Sequence, residues 1–209
     1  MKKRFGLSLC VVVFLCWGRT LYAGTENTYE SREAGFKIAK PENWQFLSSK
    51  TVAQNLALPR LRDKELEKVI RSKPNVPFLV IARFPEPYEG LNPSVQVSFK
   101  TQGELLGQGA PALLTRVVER LKGNFRDFTY LRPVEATTVD GQAAARMVAR
   151  YTVADAEGKE FKTVARMWVV PRGEYMFTIS MYGPSEGPNA SEEEFDQILQ
   201  SIKIAGQQR

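Results

Sequence analysis

The chain has 209 residues with no histidine and only two cysteines, and its formal net charge is +6. Without histidine it cannot build a Ser-His-Asp triad or a histidine-ligated zinc site, and it lacks the commonest general base at neutral pH. Both cysteines, Cys10 and Cys16, fall in an amino-terminal segment that we expect to be removed, so thiol nucleophiles, iron–sulfur ligands and disulfides are not expected in the remaining protein.

The first residues have the three-part plan of a secretory signal peptide. Basic residues at 2–4 precede an almost unbroken apolar run from Phe5 to Trp17, and the small Ala23 occupies the position before the expected cut. The apolar run is about 13 residues long, whereas a membrane-spanning helix needs ~20. We therefore expect residues 1–23 to be cleaved and the protein to be periplasmic or secreted; a retained membrane anchor is the alternative.

Removal of this segment changes the charge of the protein. Four basic residues and no acidic ones precede Gly24, so the remaining chain carries 25 basic against 23 acidic residues, a balance of +2. This near-neutral balance argues against a nucleic-acid partner. Residues 24–209 contain no long Gly/Ser linker, repeat or low-complexity tract, and their number suits one domain. We expect a single domain with no retained transmembrane helix.

The first half of this domain predicts short strands and two helices. Phe36 to Ala39 alternates apolar residues with Lys37, as a half-buried strand does, and Pro41 ends it. Leu61 to Ser72 predicts an amphipathic helix. Two further strands are expected over Phe78–Phe84 and Val95–Phe99, separated by a Pro-rich break at 85–87.

A second helix is predicted from Pro111 to about Lys122, with Gly123 expected to close it. Ahead of it, the segment from Gly103 to Gly109 has three glycines but lacks the Gly-Lys-Ser/Thr ending of a phosphate-binding loop, so we interpret it as a flexible loop. The apolar stripe of the helix is Leu113, Leu114, Val117, Val118 and Leu121.

The second half predicts an antiparallel meander of four strands. Asp140-Gly141 is a strong tight-turn signal, and Glu157-Gly158 and Arg172-Gly173 are further turns. Such a meander packs one face on a core and can leave the other face wetter. The strands are expected over 130–139, 145–153, 161–170 and 175–181, the last with Tyr175, Phe177, Ile179 and Met181 in strict alternation.

A final helix is predicted from Ser191 to about Ile202. Ser191 followed by Glu194 has the spacing of a capping box, and Phe195, Ile198, Leu199 and Ile202 supply the buried stripe. The fold class is therefore α+β, an antiparallel β-sheet meander with helices packed on it.

Candidate chemistry is sparse. Ser48-Ser49-Lys50 and Ser72-Lys73 are serine–lysine neighbours, but adjacent residues rarely present both groups to one substrate. Glu192-Glu193-Glu194 has the charge for a calcium or magnesium site, yet acidic residues in the first turn of a helix are explained more simply by the helix dipole. We assign no catalytic, cofactor-binding or metal-binding residue, expect no cofactor, and expect the protein not to be an enzyme.

Three arginines on neighbouring predicted strands, Arg146, Arg150 and Arg166, have two interpretations. In register they would form a basic stripe that meets an anionic ligand or partner. Otherwise they lie on a solvated face neutralised by Asp155, Glu157 or Glu160. Trp44 and Trp168 are expected in the core, and the glycosylation triplet Asn189-Ala190-Ser191 is expected to be a loop and cap.

Short motifs occur at both ends and in the middle of the expected domain. They are Gly35-Phe36-Lys37-Ile38 with Pro41-Glu42-Asn43-Trp44 at the start, Asp140-Gly141 with Tyr175 and Phe177 between, and Phe195-x-x-Ile198-x-x-Ser201-Ile202 at the end. In this order they resemble the PsbP-like family. That resemblance spans Tyr29 to Ile204 and implies an α/β/α sandwich around an antiparallel sheet, with an exported, non-enzymatic accessory or binding role. The predicted helix at 61–72 looks like an insertion relative to the family, and no functional residue is carried over.

These observations favour an exported accessory or binding protein that contacts an unknown envelope protein through a sandwich face or through the loop Pro85 to Pro93. A carrier for a small ligand, with an apolar pocket between sheet and helices, is one alternative. A carboxylate-dependent hydrolase or lyase, with paired acidic side chains in one cleft, is the other.

Overall fold

The computed structural model describes residues 27–31, 34–47, 77, 79–155 and 158–205. The expected signal peptide, the predicted helix at 61–72 and the serine–lysine neighbours lie outside these residues. The described elements, in chain order, are β1 (Thr28–Ser31), β2 (Phe36–Ala39), β3 (Gln45–Phe46), β4 (Leu79–Ala82), β5 (Ser94–Thr101), a 3₁₀ helix (Gly103–Leu105), α1 (Gly109–Lys122), β6 (Arg126–Val139), β7 (Gln142–Ala154), β8 (Glu160–Arg172), β9 (Tyr175–Pro184), α2 (Glu192–Ser201) and β10 (Lys203–Ile204).

The described strands form one large and one small sheet, in which every pairing is antiparallel. The large sheet has the order β3-β4-β5-β9-β8-β7-β6, and the small sheet has the order β1-β2-β10. The predicted meander is confirmed as β6 to β9. Asp140 and Gly141 join β6 to β7 with φ of 47° and 73°, and positive φ at both central residues is the requirement of a tight hairpin turn that matches the strand twist.

One face of the large sheet, the α1 face, is covered by α1. Leu113, Leu114 and Val118 are fully buried there against a cluster that includes Met147 and Val169. The helix is confirmed, although it begins at Gly109, two residues before Pro111. The helix ends before Gly123 as predicted, but not through a left-handed glycine, because Gly123 is right-handed with φ of −68°. Asn124 satisfies the helix end instead, since its Nδ2 donates to the Arg120 carbonyl at 2.7 Å.

The opposite face, the α2 face, is covered by α2 and the small sheet. Phe36 and Ile38 of β2 and Phe195 and Ile198 of α2 share one buried cluster with the large sheet. Trp44 and Trp168 belong to the same cluster, as predicted for the core. The Trp44 ring meets the Phe195 ring edge-on, with centroids 5.6 Å apart. The molecule is therefore an α+β sandwich with α1 on one side of the sheet and α2 on the other, as expected.

The two motif segments that suggested the family resemblance are in direct contact. Ser201 Oγ accepts a hydrogen bond from the Ala39 amide at 2.9 Å, and β10 pairs with β2 so that Ile204 lies opposite Phe36. The start and the end of the sandwich thus form one packing unit, in which each strand needs the other to complete its ladder.

The structure corrects two sequence-based expectations about exposure and order. The alternation along β9 does not separate a buried from a wet face, because residues 176–181 are buried on both sides. A central strand between two layers must bury both faces, and Thr178 and Ser180 fill the second one. The Gly103–Gly109 segment is not an irregular loop, since it contains the 3₁₀ helix and the first residue of α1.

None of the helices in the described part of the chain is long and apolar enough to cross a membrane.

Candidate functional site

The 83–93 loop, which joins β4 to β5, is fixed by its own side chains. Asn92 Nδ2 donates to the Phe84 carbonyl at 2.9 Å and to Glu86 Oε1 at 2.8 Å, while its Oδ1 accepts from the Phe84 amide at 3.1 Å. Glu86 Oε2 accepts from the Tyr88 amide at 3.1 Å. Asparagine and acidic side chains commonly stabilise turns by bonding nearby backbone in this way. The loop is therefore restrained by hydrogen bonds from its own side chains.

Aromatic stacking attaches Tyr88 to the body of the protein. Its ring lies parallel to that of Phe84, with centroids 4.6 Å apart and planes 7° apart. Its hydroxyl accepts a hydrogen bond from Asn189 Nδ2 at 3.2 Å. Asn189 of the formal glycosylation triplet thus lies in the loop before α2, as expected, and connects that loop to the 83–93 loop.

Arg83 connects the 83–93 loop to the start of α2. Its Nη1 donates to Ser191 Oγ at 2.7 Å, and its Nη2 lies 3.4 Å from Glu194 Oε1. The predicted capping box is wrong, because Ser191 makes no side-chain bond to the helix and has a left-handed φ of 56°. Both residues of the pattern bind Arg83 instead, whose half-buried guanidinium has a stronger need for oxygen acceptors.

A pocket of ≈ 330 Å³ opens between the 83–93 loop, the loop before α2 and the first residues of β8. We call it the loop pocket. Tyr88, Leu91 and Phe161 form its apolar part, whereas Lys162 brings one positive charge and Glu160 and Glu186 bring two negative charges. A mixed lining of this kind suits a partner segment that carries both an apolar side chain and polar groups.

The three predicted arginines do share one face. Arg166 of β8 lies opposite Val148 of β7, which places it between Arg146 and Arg150, two residues away on either side along β7. On the other side of β7, Arg132 of β6 also lies opposite Val148. Arg132, Arg146, Arg150 and Arg166, arranged around Val148, are called here the basic face; they lie on the α2 face of the sheet. The sequence pattern missed Arg132 because bulges in β6 shift its register.

The neutralising residues differ from those predicted. Glu135 Oε1 accepts from Arg146 Nε at 2.7 Å and lies 3.5 Å from Arg132 Nη1, and Arg166 pairs with Glu192. Asp155 accepts from the Lys159 amide and Glu160 pairs with Arg126, while Glu157 lies outside the described residues. Glu135 lies on β6 and Glu192 on α2, and the fold places both next to these arginines. A prediction based on neighbours in sequence could not include these two glutamates.

Arg150 is exposed and forms no ion pair with any residue that the structure describes. Among the described residues, the carboxylates of Glu135 and Glu192 therefore face four guanidinium groups at the basic face. The exposed side chains of Arg132 and Arg150 leave an excess of positive charge that is open to solvent.

The glutamates at 192–194 are used differently from the metal site considered from the sequence. Glu192 and Glu194 form ion pairs with Arg166 and Arg83. Within the described ranges, no group of three or more acidic, histidine or cysteine side chains is arranged to hold a metal ion.

No Asp or Glu among the described residues is buried. The carboxyl of Asp140 accepts hydrogen bonds from the Ile204 amide at 2.8 Å and from Lys203 Nζ at 3.0 Å. These two donors hold the pKa of Asp140 below its usual range. A general acid needs the opposite shift, so nothing at Asp140 favours carboxylate catalysis.

Comparison with known proteins finds similarity only among solved structures. No family model matches the chain, and no curated protein matches it. The solution structure of cyanobacterial PsbP from Synechocystis sp. PCC 6803 is 17% identical, with a TM-score of 0.49 over 90% of this chain and 99% of that one. A PsbP structure is thus among the similar folds, as the sequence motifs predicted.

Two other solved structures are similar to the same extent. LpqN, involved in cell envelope biogenesis of Mycobacterium tuberculosis, is 13% identical with a TM-score of 0.48, covering 88% of this chain and 87% of that one. The Saccharomyces cerevisiae Ran-binding protein Mog1p is 14% identical with a TM-score of 0.49, covering 87% and 96%. At these identities and scores, none of the three assigns a partner or an activity to this chain.

Proposed function

We propose that this chain is an exported, non-catalytic binding protein that contacts an envelope protein through the loop pocket. The observation that carries the proposal is the fixed shape of the 83–93 loop, held by Asn92, Glu86 and the Phe84–Tyr88 stack. A loop that is already ordered loses little conformational entropy when it binds, and this preorganisation raises affinity. A surface loop that is fixed by this many side-chain hydrogen bonds is consistent with a recognition role.

The size and position of the loop pocket favour a protein partner over a carried small molecule. A volume of ≈ 330 Å³ is near the lower end of the range for ligand sites, which suits one or two side chains of a partner. The pocket opens between loops at the surface, whereas the carrier alternative requires a cavity between sheet and helices. On both sides of the sheet, the described side chains instead pack into buried clusters.

Export remains part of this proposal and rests on the amino-terminal sequence pattern. Residues 1–23 would be removed, and residues 24–209 would form the single functional domain. The intact mass of protein isolated from its own host tests the cleavage, because a mature chain beginning near Gly24 is the expected species.

The contact is tested by site-directed crosslinking followed by direct binding. A photo-crosslinking amino acid at Leu91 should capture one defined partner in the host, whereas the same amino acid at Leu106 should not. Leu106 is a matched control, since it is 55% exposed and lies beside the 3₁₀ helix rather than in the 83–93 loop. The captured partner is then identified and purified.

Affinity for the purified partner gives the decisive result. Tyr88→Ala should weaken binding about tenfold or more, as expected for an aromatic anchor in an interface pocket. Tyr175→Ala, at the opposite end of β9 and 43% exposed, should leave affinity unchanged. If Tyr88→Ala keeps full affinity while its circular dichroism shows a folded protein, the loop pocket is not the contact.

A further inference from the structure

We propose that the basic face is a second interaction surface, which binds an extended acidic segment of a protein partner. This inference does not depend on the loop pocket, because it concerns different residues on β6, β7 and β8. The occupant is a polypeptide rich in Asp and Glu, recognised by its carboxylates.

The arginines are placed by strand register rather than by flexible loops. Arg132 and Arg166 lie directly across from Val148 on either side, and cross-strand neighbours of this kind are about 5 Å apart. Arg146 and Arg150 lie two residues before and after Val148 on the same strand, about 7 Å away at each step. The result is a cross of four arginines, fixed at their backbone positions, around one small apolar side chain.

The protein's own contacts show that this face accepts carboxylates. Glu135 bonds Arg146 and reaches Arg132, and Glu192 pairs with Arg166. Planar guanidinium groups hold carboxylates in a two-pronged geometry. The described part of this face has two carboxylates for four arginines. The guanidinium of Arg150, and the N–H groups of Arg132 that Glu135 does not contact, can therefore bind carboxylates of a partner.

The shape of the surroundings favours a polypeptide over an anionic membrane. The amino-terminal end of α2 lies on the same face, where Arg166 is 15% exposed and its guanidinium lies 5.6 Å from the Phe195 ring centroid. A helix is about 10 Å thick, so a flat bilayer would meet α2 before it reached the arginines. A single extended chain is narrow enough to lie along β7 beside the helix, with a small side chain over Val148.

The test uses the purified protein and a fluorescein-labelled peptide of twelve residues that alternates Glu and Ser. Fluorescence anisotropy should show saturable binding that weakens when sodium chloride is raised from about 50 to about 300 mM, since exposed charges are screened. The matching peptide with Gln in place of Glu should not bind. Absence of binding by the Glu peptide at low salt would overturn the proposal.

Arginine variants locate the site. Arg150→Ala should weaken binding about fivefold, and the double variant with Arg132→Ala more than tenfold, because exposed charge pairs each contribute modestly. Arg116→Ala is the matched control, since Arg116 is an exposed arginine of α1 on the opposite side of the sandwich. An equal loss in Arg116→Ala would show a non-specific charge effect and overturn the proposal.

Two further controls test whether the Arg150→Ala variant is folded and which class of partner binds the basic face. Arg150 forms no described ion pair, so the thermal unfolding of Arg150→Ala should match that of the parent protein. Vesicles of phosphatidylglycerol provide the competing occupant. Binding to these vesicles that Arg150→Ala weakens, without binding to the Glu peptide, would assign the face to membrane contact and overturn the inference.

Discussion

Gly35 lies directly before β2, in a backbone conformation that other residues rarely adopt. Its φ is +58°, and a Cβ placed there would lie 2.7 Å from Arg172 Nη2 and 2.8 Å from Arg172 Nη1. The guanidinium is held at this position because its Nη1 donates to the Ala34 carbonyl. The carbonyl of Gly35 also accepts from the Ala205 amide at 2.9 Å. Gly35 thus allows the segment before β2, the Arg172-Gly173 turn and the chain after β10 to lie in contact.

We predict that Gly35→Ala destabilises the protein by about 2 kcal/mol or more. A left-handed backbone costs an alanine roughly 1–2 kcal/mol, and displacement of Arg172 adds to that cost. Urea unfolding measures the change. Gly141→Ala is the control, since Gly141 also has a positive φ of +73° but nothing lies within 4 Å of the added Cβ. Equal losses in the two variants would show that the Arg172 contact contributes nothing.

At the scale of elements, α2 begins where the sequence predicted, but Ser191 does not form the predicted capping box. Ser191 does precede the helix, but its hydroxyl accepts from Arg83 and donates to the Asn189 carbonyl. Arg83 directly follows β4, 108 positions earlier. The helix end is therefore attached to the 83–93 loop by a side chain, and the two elements should respond together to mutation.

We predict that Arg83 and Ser191 are energetically coupled. In a double-mutant cycle, Arg83→Ala and Ser191→Ala should show a coupling of about 1 kcal/mol, because each single change removes the same charge-assisted hydrogen bond. A capping box would give a coupling near zero. The exposed pair Arg116–Glu119 serves as the reference and should couple by about 0.5 kcal/mol or less.

The sequence predicted the elements better than their partners. Alternation and turn residues located β2, β5, α1 and the β6–β9 meander, since these signals are local. The pairing of Arg146 with Glu135 and of Arg83 with Glu194 was not predictable, because each depends on strand register or on a contact between distant segments. The loop pocket was missed for the same reason. The Pro85-Glu86-Pro87 break marked its loop, but nothing local indicated that Phe161 and Lys162 would complete it.

At the scale of the whole molecule, Asp140 joins the meander to the small sheet. It lies in the β6–β7 turn, and its carboxylate accepts from the Ile204 amide and from Lys203, both in β10. A bond between a hairpin turn and the last described strand closes one end of the sandwich. Since the two donors lower the pKa of Asp140 in the folded protein, this closure depends on pH.

We predict that Asp140→Asn makes stability less dependent on acid. In the parent protein the lowered pKa means that the ionised carboxylate stabilises the fold above its unfolded pKa, about 3.9. That contribution is lost as pH falls through the folded pKa. Urea unfolding at about pH 6, 4 and 3 should give a shallower pH slope for the variant. Asparagine tolerates the positive φ of 47° at this position, so backbone strain does not complicate the result. An identical slope would contradict the prediction.

The contact between Ser201 and Ala39 joins residues 162 positions apart. A ribosome makes β2 early and β10 last among the described elements, so β2 has only β1 to pair with until nearly all of the chain has been synthesised. Phe36 and Ile38 must also wait for Phe195 and Ile198, their neighbours in the buried cluster. The sandwich can therefore close only after synthesis has passed residue 204, which leaves the growing chain open to chaperones until that moment.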